Sequence, residues 1–392
     1  MRWHRLTLFP NLQFIYELHL AQLELNALAC GAKLGADFRT FLANNATDVG
    51  KLLERSAYVA DVDGNPTVYW HLTQKNITRA FNQYITHWFY PYKGKYHPQM
   101  VRGLANIIGL NPGDTLLDPF VGSGTTLVEG ALLGLKTIGF DISPLCVLIS
   151  KVKANAIHHL DQIERKERTL VLREDRPSTW NWRIEETFQD PVKCFELLAQ
   201  MIAKSDEARR SRNFGERYFH NKAKMLRSIK LMRDGCNEVG IMPVPAHVEI
   251  ADARKLPLPD SSTDGVITSP PYSIALNYVQ NDAHSLEALG YDLNRIREDF
   301  IGVRGFGKKR FDLYEEDMER AYGEMARVLK PGKKACVVIG NITYRGKELD
   351  TVGNCVRHFE RHGLRLIHKI EKLIYGLYNI MQREWILIFN KD

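Results

Sequence analysis

Residues 115–141 read TLLDPFVGSGTTLVEGALLGLKTIGFD, and the fold turns on this stretch. Thr115-Leu116-Leu117 is a short apolar run, Asp118 to Gly124 hold one proline and two glycines, Leu127 to Leu133 continue as an apolar helix, and Thr137-Ile138-Gly139-Phe140 is a second strand. Strand, glycine-rich turn, helix and strand make a βαβ unit, and such units build parallel α/β sheets. The glycines let the backbone turn tightly and approach a ligand. The helix behind them offers free amide groups at its N-terminus. A nucleotide-type ligand at the carboxyl end of a parallel strand is the expected arrangement. A lone G-x-G is weak evidence, since it also fits a plain tight turn. The dinucleotide fingerprint is broken because Leu127 stands in the third glycine's place, and the absence of G-K-S/T argues against a P-loop. Asp141 ends the second strand, 23 positions after Asp118. It can accept hydrogen bonds from ribose hydroxyls, or cap a helix in Asp141-Ile142-Ser143-Pro144, or do both.

Outward from this unit the rhythm changes twice. Residues from about 150 to 245 are charged and carry a helical pattern. The α/β pattern resumes at Val248-Glu249-Ile250. It continues through a strand at Gly265–Thr268, a helix around Glu315–Leu329, a strand at Ala335–Ile339 and a last strand at Arg383–Phe389. Toward the N-terminus, helical spacing over Phe14–Leu34 predicts a helix that stops near Gly31 and Gly35. Asp63-Gly64 followed by Thr67-Val68-Tyr69-Trp70 predicts a turn entering a strand. The chain thus divides into an accessory region at 1–85, a catalytic domain at 86–150 and 246–392, and a helical insertion at 151–245 suited to target recognition.

The sharpest chemical signal is Ser269-Pro270-Pro271-Tyr272, at the end of the apolar strand that holds Val266 and Ile267. Prolines there stop the strand and stiffen the loop. An exocyclic amine on a base is a poor nucleophile because its lone pair is delocalised into the ring. The Ser269 hydroxyl and the Pro270 carbonyl, aimed at its two N–H bonds, would pull the nitrogen toward tetrahedral geometry. Tyr272 would stack on a base flipped out of its helix. Read alone, the same four residues are an ordinary proline turn.

DPFVGSGTT followed by GFDISP, with SPPY further on, resembles the amino-methyltransferases that act on cytosine N4 or adenine N6 in DNA. The resemblance covers roughly residues 90 to 150 and 245 to 345. It implies a class I, Rossmann-like, mostly parallel α/β sheet and S-adenosylmethionine as cofactor. By that likeness the cofactor contacts are His97, Asp118, Phe120, Gly122, Ser123, Gly124, Thr125, Thr126, Asp141, Ile142, Asp252 and Ala253. Asp118, Gly122 and Gly124 surround its amino-acid end, Asp141 its ribose and Asp252 its adenine. Asp252 read alone is a turn residue at a strand end, and His97 in Lys95-Tyr96-His97-Pro98 is structural. The catalytic residues are Ser269, Pro270, Pro271 and Tyr272. Serine at the first position resembles N4-cytosine enzymes, whereas the cofactor motif preceding the catalytic motif departs from the permuted order many of them have. Double-stranded DNA is the implied partner, a restriction endonuclease the implied companion, and RNA the alternative polymer. Guanine-N2 methylases of transfer RNA share the motif order but carry D-P-P-Y, and protein-glutamine methylases begin the motif with asparagine. A binding module without activity would have damaged cofactor motifs.

Composition agrees with a nucleic-acid enzyme without demanding one. The 392 residues are 44% hydrophobic and 25% charged, which excludes disorder over most of the length, and the net charge is +7. Six cysteines form no C-x-x-C pair and no Cys/His cluster at zinc spacing, so reduced thiols and no metal are expected. No apolar run reaches the roughly 18 residues of a spanning helix, and the N-terminus lacks a signal-peptide stretch, which places the chain in the cytoplasm. The candidate nucleic-acid surface is Arg209, Arg210, Arg212, Arg217, Lys222 and Lys224 in the insertion, with aromatics interleaved. Arg304, Lys308 and Lys309 lie in a second, glycine-rich basic stretch. Either could equally be a solvated face.

Overall fold

The computed structural model describes residues 3–28, 31–44, 47–171, 184–272, 278–305, 307–344, 347–373 and 383–392. Five strands come first: β1 (His4–Leu8), β2 (Lys33–Leu34), β3 (Thr40–Ala43), β4 (Val59–Val62) and β5 (Asn65–Pro66). They form an antiparallel sheet in the order β2-β3-β1-β4-β5. The helix Ile15–Leu28 sits between β1 and β2 and stops before Gly31. Asp63-Gly64 makes the β4–β5 turn, as expected. The following segment does not enter a strand: Val68–Gln74 is helical. The Thr67 hydroxyl caps it by accepting from the Trp70 amide at 3.2 Å, and that local bond outweighs the strand preference of Val68-Tyr69-Trp70.

The catalytic sheet uses β6 (Thr115–Asp118), β7 (Lys136–Asp141), β8 (His247–Ile250), β9 (Thr263–Thr268) and β10 (Leu329–Gly340). A small hairpin, β11 (Ile342–Tyr344) with β12 (Lys347–Leu349), precedes β13 (Leu364–Leu373) and β14 (Arg383–Lys391). The order across the seven strands is β13-β14-β10-β9-β6-β7-β8. From β10 to β8 all neighbours are parallel, while β14 runs antiparallel to both β10 and β13. This is the mostly parallel α/β sheet the βαβ pattern implies.

Side-chain alternation splits the core in two. Leu116, Ile267, Cys336, Val338, Ile386 and Ile388 face one side, with the helices Pro98–Ile107 and Thr125–Leu132 and the N-terminal sheet. Leu117, Val266, Val337, Leu387 and Phe389 face the other, covered by the helices Gly307–Val328 and Thr351–Arg361. The period of two along each strand produces this division. The first core runs without a break from Leu6 through Leu104 and Leu127 to Phe195 and Met225, so N-terminal sheet, catalytic sheet and insertion share one interior.

Strands β6 and β9 are adjacent at the centre of the sheet. The chain winds from β6 toward β8 and later from β9 toward β10, so their carboxyl ends mark the switch point where ligands bind in such sheets. The insertion lies between β7 and β8. Its two long helices, Pro191–Arg210 and Phe214–Glu238, are each started by a side-chain cap, Asp190 and Asn213. Among the described residues no helix is long and apolar enough to cross a membrane, and no cluster of side chains fits a metal.

Candidate active site

The loop after β6 is held from within. The Asp118 carboxylate is fully buried and accepts from Thr126 Oγ1 at 2.6 Å, Thr268 Oγ1 at 2.6 Å, Tyr96 Oη at 3.1 Å and the Phe120 amide at 3.2 Å. Burial raises its pKa, against the pull of these donors. Gly124 has a φ of +75° and ends the turn as the N-cap of the helix Thr125–Leu132. A Cβ there would lie 2.8 Å from the backbone of Ser150, so no side chain fits. Asp141 closes β7 and accepts from the amides of Gly122 and Ser143, each at 2.9 Å. Burial pushes its carboxyl up to about 6.

A cleft opens where β6, β7 and β9 end. Phe120, Gly122, Ser123, Asp141, Ile142, Asp252, Ala253, Ser269 and Pro271 line it, which brings together both motifs that the sequence separates by about 150 residues. Other expected contacts lie elsewhere. Asp118, Gly124, Thr125 and Thr126 form the buried underside of the loop, where Thr126 also bonds Tyr96. His97 lies outside the lining: its ring stacks on Phe81 with centroids 6.2 Å apart, and burial holds its imidazole down to about 4. Tyr96, its neighbour, faces the cleft instead. The Asp252 carboxylate is engaged by Arg254 at 2.6 Å, and Arg254 in turn bonds the buried Asp317. Tyr92, which sequence reasoning missed, and Tyr278, which follows the catalytic motif, also line the cleft and stack on each other with centroids 6.3 Å apart. The density of aromatic residues in Phe89-Tyr90-Pro91-Tyr92 was the only signal for Tyr92.

The Ser269–Tyr272 loop after β9 is held from outside. The Ser269 hydroxyl lies 3.1 Å from Tyr272 Oη. Tyr272 Oη donates toward Glu384 Oε1 at 3.0 Å, and Glu384 is paired with Lys372 at 2.6 Å. Tyr272 itself packs with the second core, not among the cleft-lining residues. Nothing in the sequence marked Glu384 or Lys372. Ala275, Leu276 and Asn277, which continue the motif, lie outside the described residues.

Most of the basic surface is spent internally. Arg209 donates to the carbonyls of Pro91 and Asn281 and to Asp282. Arg210 and Arg217 share Asp206. Lys222 is buried against Glu167, and Lys224 lies 4.1 Å from the Trp88 ring centroid. Arg304 is paired with Asp317. Arg212 and Lys309 are exposed and carry no ion pair among the described residues, and the Lys308 side chain lies outside them.

The cleft fits S-adenosylmethionine. It offers the turn at Gly122, whose φ is +49°, the Asp141 carboxylate at the end of the neighbouring strand, and apolar surface at Ile142, Ala253 and Phe300.

Comparisons with known proteins agree. The type II methyltransferase M.BsoBI of Geobacillus stearothermophilus is 25% identical over 280 residues, 55% of this chain and 55% of its own length. M.MjaII of Methanocaldococcus jannaschii, another type II methyltransferase, is 49% identical over 84 residues, 21% of this chain and 16% of its own. The tRNA (guanine(10)-N2)-dimethyltransferase of Methanothermobacter thermautotrophicus is 42% identical over 65 residues, 16% of this chain and 19% of its own. The chain thus spans about half the length of the first of these relatives and less than a fifth of the other two. The model of the UPF0020 family, RMKL-like methyltransferase domains, matches residues 90–296, more than half of the chain, and the chain belongs to that methyltransferase family, whose cofactor is S-adenosylmethionine.

Proposed function

We propose that this chain transfers a methyl group to an exocyclic amino group of a nucleic-acid base, with N4 of cytosine in duplex DNA as the first choice and N6 of adenine as the second. The observation that carries this reading is the place of Ser269. The residue stands at the carboxyl end of β9 and lines the same cleft as Gly122 and Asp141. When bound, the cofactor supplies a methyl group on a sulfonium, electrophilic enough to need no covalent enzyme intermediate. The protein's part is then positioning. The backbone of Gly122 and Ser123 receives the amino-acid end of the cofactor, Asp141 accepts from its ribose, and the Asp252-Ala253 turn borders its adenine. The Ser269 hydroxyl and the Pro270 carbonyl accept from the two N–H bonds of a flipped base. Tyr272 braces the loop from behind, and the stacked pair Tyr92 and Tyr278 in the cleft lining offers aromatic faces for the base.

A second reading keeps the chemistry and changes the polymer. The transfer-RNA relative favours it, and Ser269, where such enzymes carry aspartate, counts against it. The DNA reading brings a restriction endonuclease as companion. Incubation with radiolabelled S-adenosylmethionine and either duplex DNA or total transfer RNA, followed by nucleoside mass spectrometry, separates the readings. N4-methylcytosine in DNA supports the first choice, and N6-methyladenine moves the target base. Methylguanine in transfer RNA alone moves the polymer, and no label in either overturns a nucleic-acid substrate.

A further inference from the structure

We infer that Tyr272 and Glu384 are positioning residues that turn the Ser269 proton away from the cleft, so that Ser269 meets the substrate amine only as an acceptor. The inference rests on the reading above, in which Ser269 accepts from an exocyclic N–H. A serine hydroxyl is both donor and acceptor and its proton rotates freely. Left alone, it would present a proton to an N–H group for part of the time. An aspartate or asparagine at this position offers an oxygen lone pair without such a choice.

The bonds around Tyr272 remove the choice. Among the described residues its hydroxyl oxygen has three neighbours: Ser269 Oγ at 3.1 Å, Glu384 Oε1 at 3.0 Å and the Val338 carbonyl oxygen at 3.4 Å. The last two can only accept. The single phenolic proton therefore goes to one of them, and the bond between Ser269 and Tyr272 must be donated by Ser269. Its proton then points into the protein, and its lone pairs are left for the cleft.

The surroundings hold this direction. Glu384 is buried and paired with Lys372 at 2.6 Å, which holds its side chain in place against Tyr272. The two residues face each other in the antiparallel register of β13 and β14. Burial, followed by the charge of Glu384, pushes the Tyr272 hydroxyl well above its ordinary range, so it stays protonated and a donor. The C-terminal strand pair thus acts on the chemistry from outside the two motifs.

The test is a set of variants assayed for methyl transfer to duplex DNA and to total transfer RNA. Y272F keeps the ring and removes the acceptor for the Ser269 proton. It is expected to lower kcat about tenfold, the worth of one oriented hydrogen bond, with cofactor affinity unchanged. Added to S269A, it should cost nothing more. Added to S269N, whose amide oxygen needs no orienting, it should again cost nothing. An equal loss in all three backgrounds would overturn the inference, since it would mean that the tyrosine only shapes the loop. Urea denaturation of Y272F, S269A and their double variant gives a readout that needs no turnover. Non-additive stabilities support the bond and additive ones overturn it, and this holds even if wild-type protein labels neither polymer and the functional reading itself fails.

Discussion

The loops after β6 and β9 leave adjacent strands at the same edge of one sheet, yet they are kept in shape by opposite means. The first is held mostly by chain within about 30 positions of it, from Tyr96 to Lys153. Asp118 reaches Phe120 and Thr126 within its own turn, and Asp141 reaches Gly122 from the end of the next strand. The second leans on distant chain, through Tyr272 to Glu384 and Lys372 on the two C-terminal strands. Two bonds, from Thr268 to Asp118 and from Thr126 to the Ile267 carbonyl, tie the first loop to the strand that carries the second. A loop built from its own residues can bind a constant ligand in any member of a fold. A loop braced from elsewhere can be retuned without touching its motif.

Replacing Asp118 should have the largest effect, because it holds one loop and touches the other. Asp118→Ala leaves the hydroxyls of Thr126 and Thr268 without their buried acceptor. We expect a loss of roughly 3–5 kcal/mol in urea denaturation. A loss under about 1 kcal/mol would mean that the first loop does not depend on its own carboxylate. Gly124→Ala comes next. It asks a side chain to occupy φ +75° at 2.8 Å from Ser150, and strain plus crowding should cost about 2–4 kcal/mol with cofactor affinity reduced. Wild-type stability in this variant would make the glycine turn dispensable.

This contrast also explains what the sequence disclosed. The βαβ unit, Asp118, Gly122 and Asp141 were legible because each is positioned by neighbours within a few dozen residues, and turn chemistry is local. Ser269 was legible through Pro270 and Pro271, which stiffen their own loop. Glu384 was not, since an acidic residue opening a strand announces no partner 112 positions away. The ion pairs of the insertion's basic run were hidden for the same reason. Lys222, Lys230 and Arg233 find their partners in Glu167, Glu164 and Asp161 on the facing helix Leu160–Val171, and only the packing of helices reveals this.

A pH experiment sharpens the view of Asp141. Its carboxyl is raised to about 6 by burial, so the folded protein favours the protonated form more than the unfolded chain does. The stabilisation from that proton is complete below the ordinary carboxylate range near 4. It is lost as pH rises through about 6. Cofactor affinity should run the other way, because only the carboxylate accepts freely from ribose hydroxyls. Between pH 6 and pH 5 we expect affinity by calorimetry to fall several-fold, approaching tenfold per unit further down. Asp141→Asn should flatten both trends, and an unchanged affinity profile in that variant would remove Asp141 from the cofactor's contacts.

The smallest effect should come from the basic surface, where the same distinction between tied and untied groups applies. Arg210 is exposed but bonded to Asp206, whereas Arg212 and Lys309 are exposed with no ion pair among the described residues. A cation already paired gains less from a phosphate, because it must give up its carboxylate first. Each phosphate contact contributes about 0.9 to the slope of log K against log salt for duplex DNA, and about 0.7 for single strands. Arg212→Ala with Lys309→Ala should therefore lower the slope by up to about 2, at a modest cost in affinity. Arg210→Ala should leave the slope in place. If Arg210→Ala lowers it equally, the internal ion pairs give way when nucleic acid binds, and the whole basic run returns as contact surface.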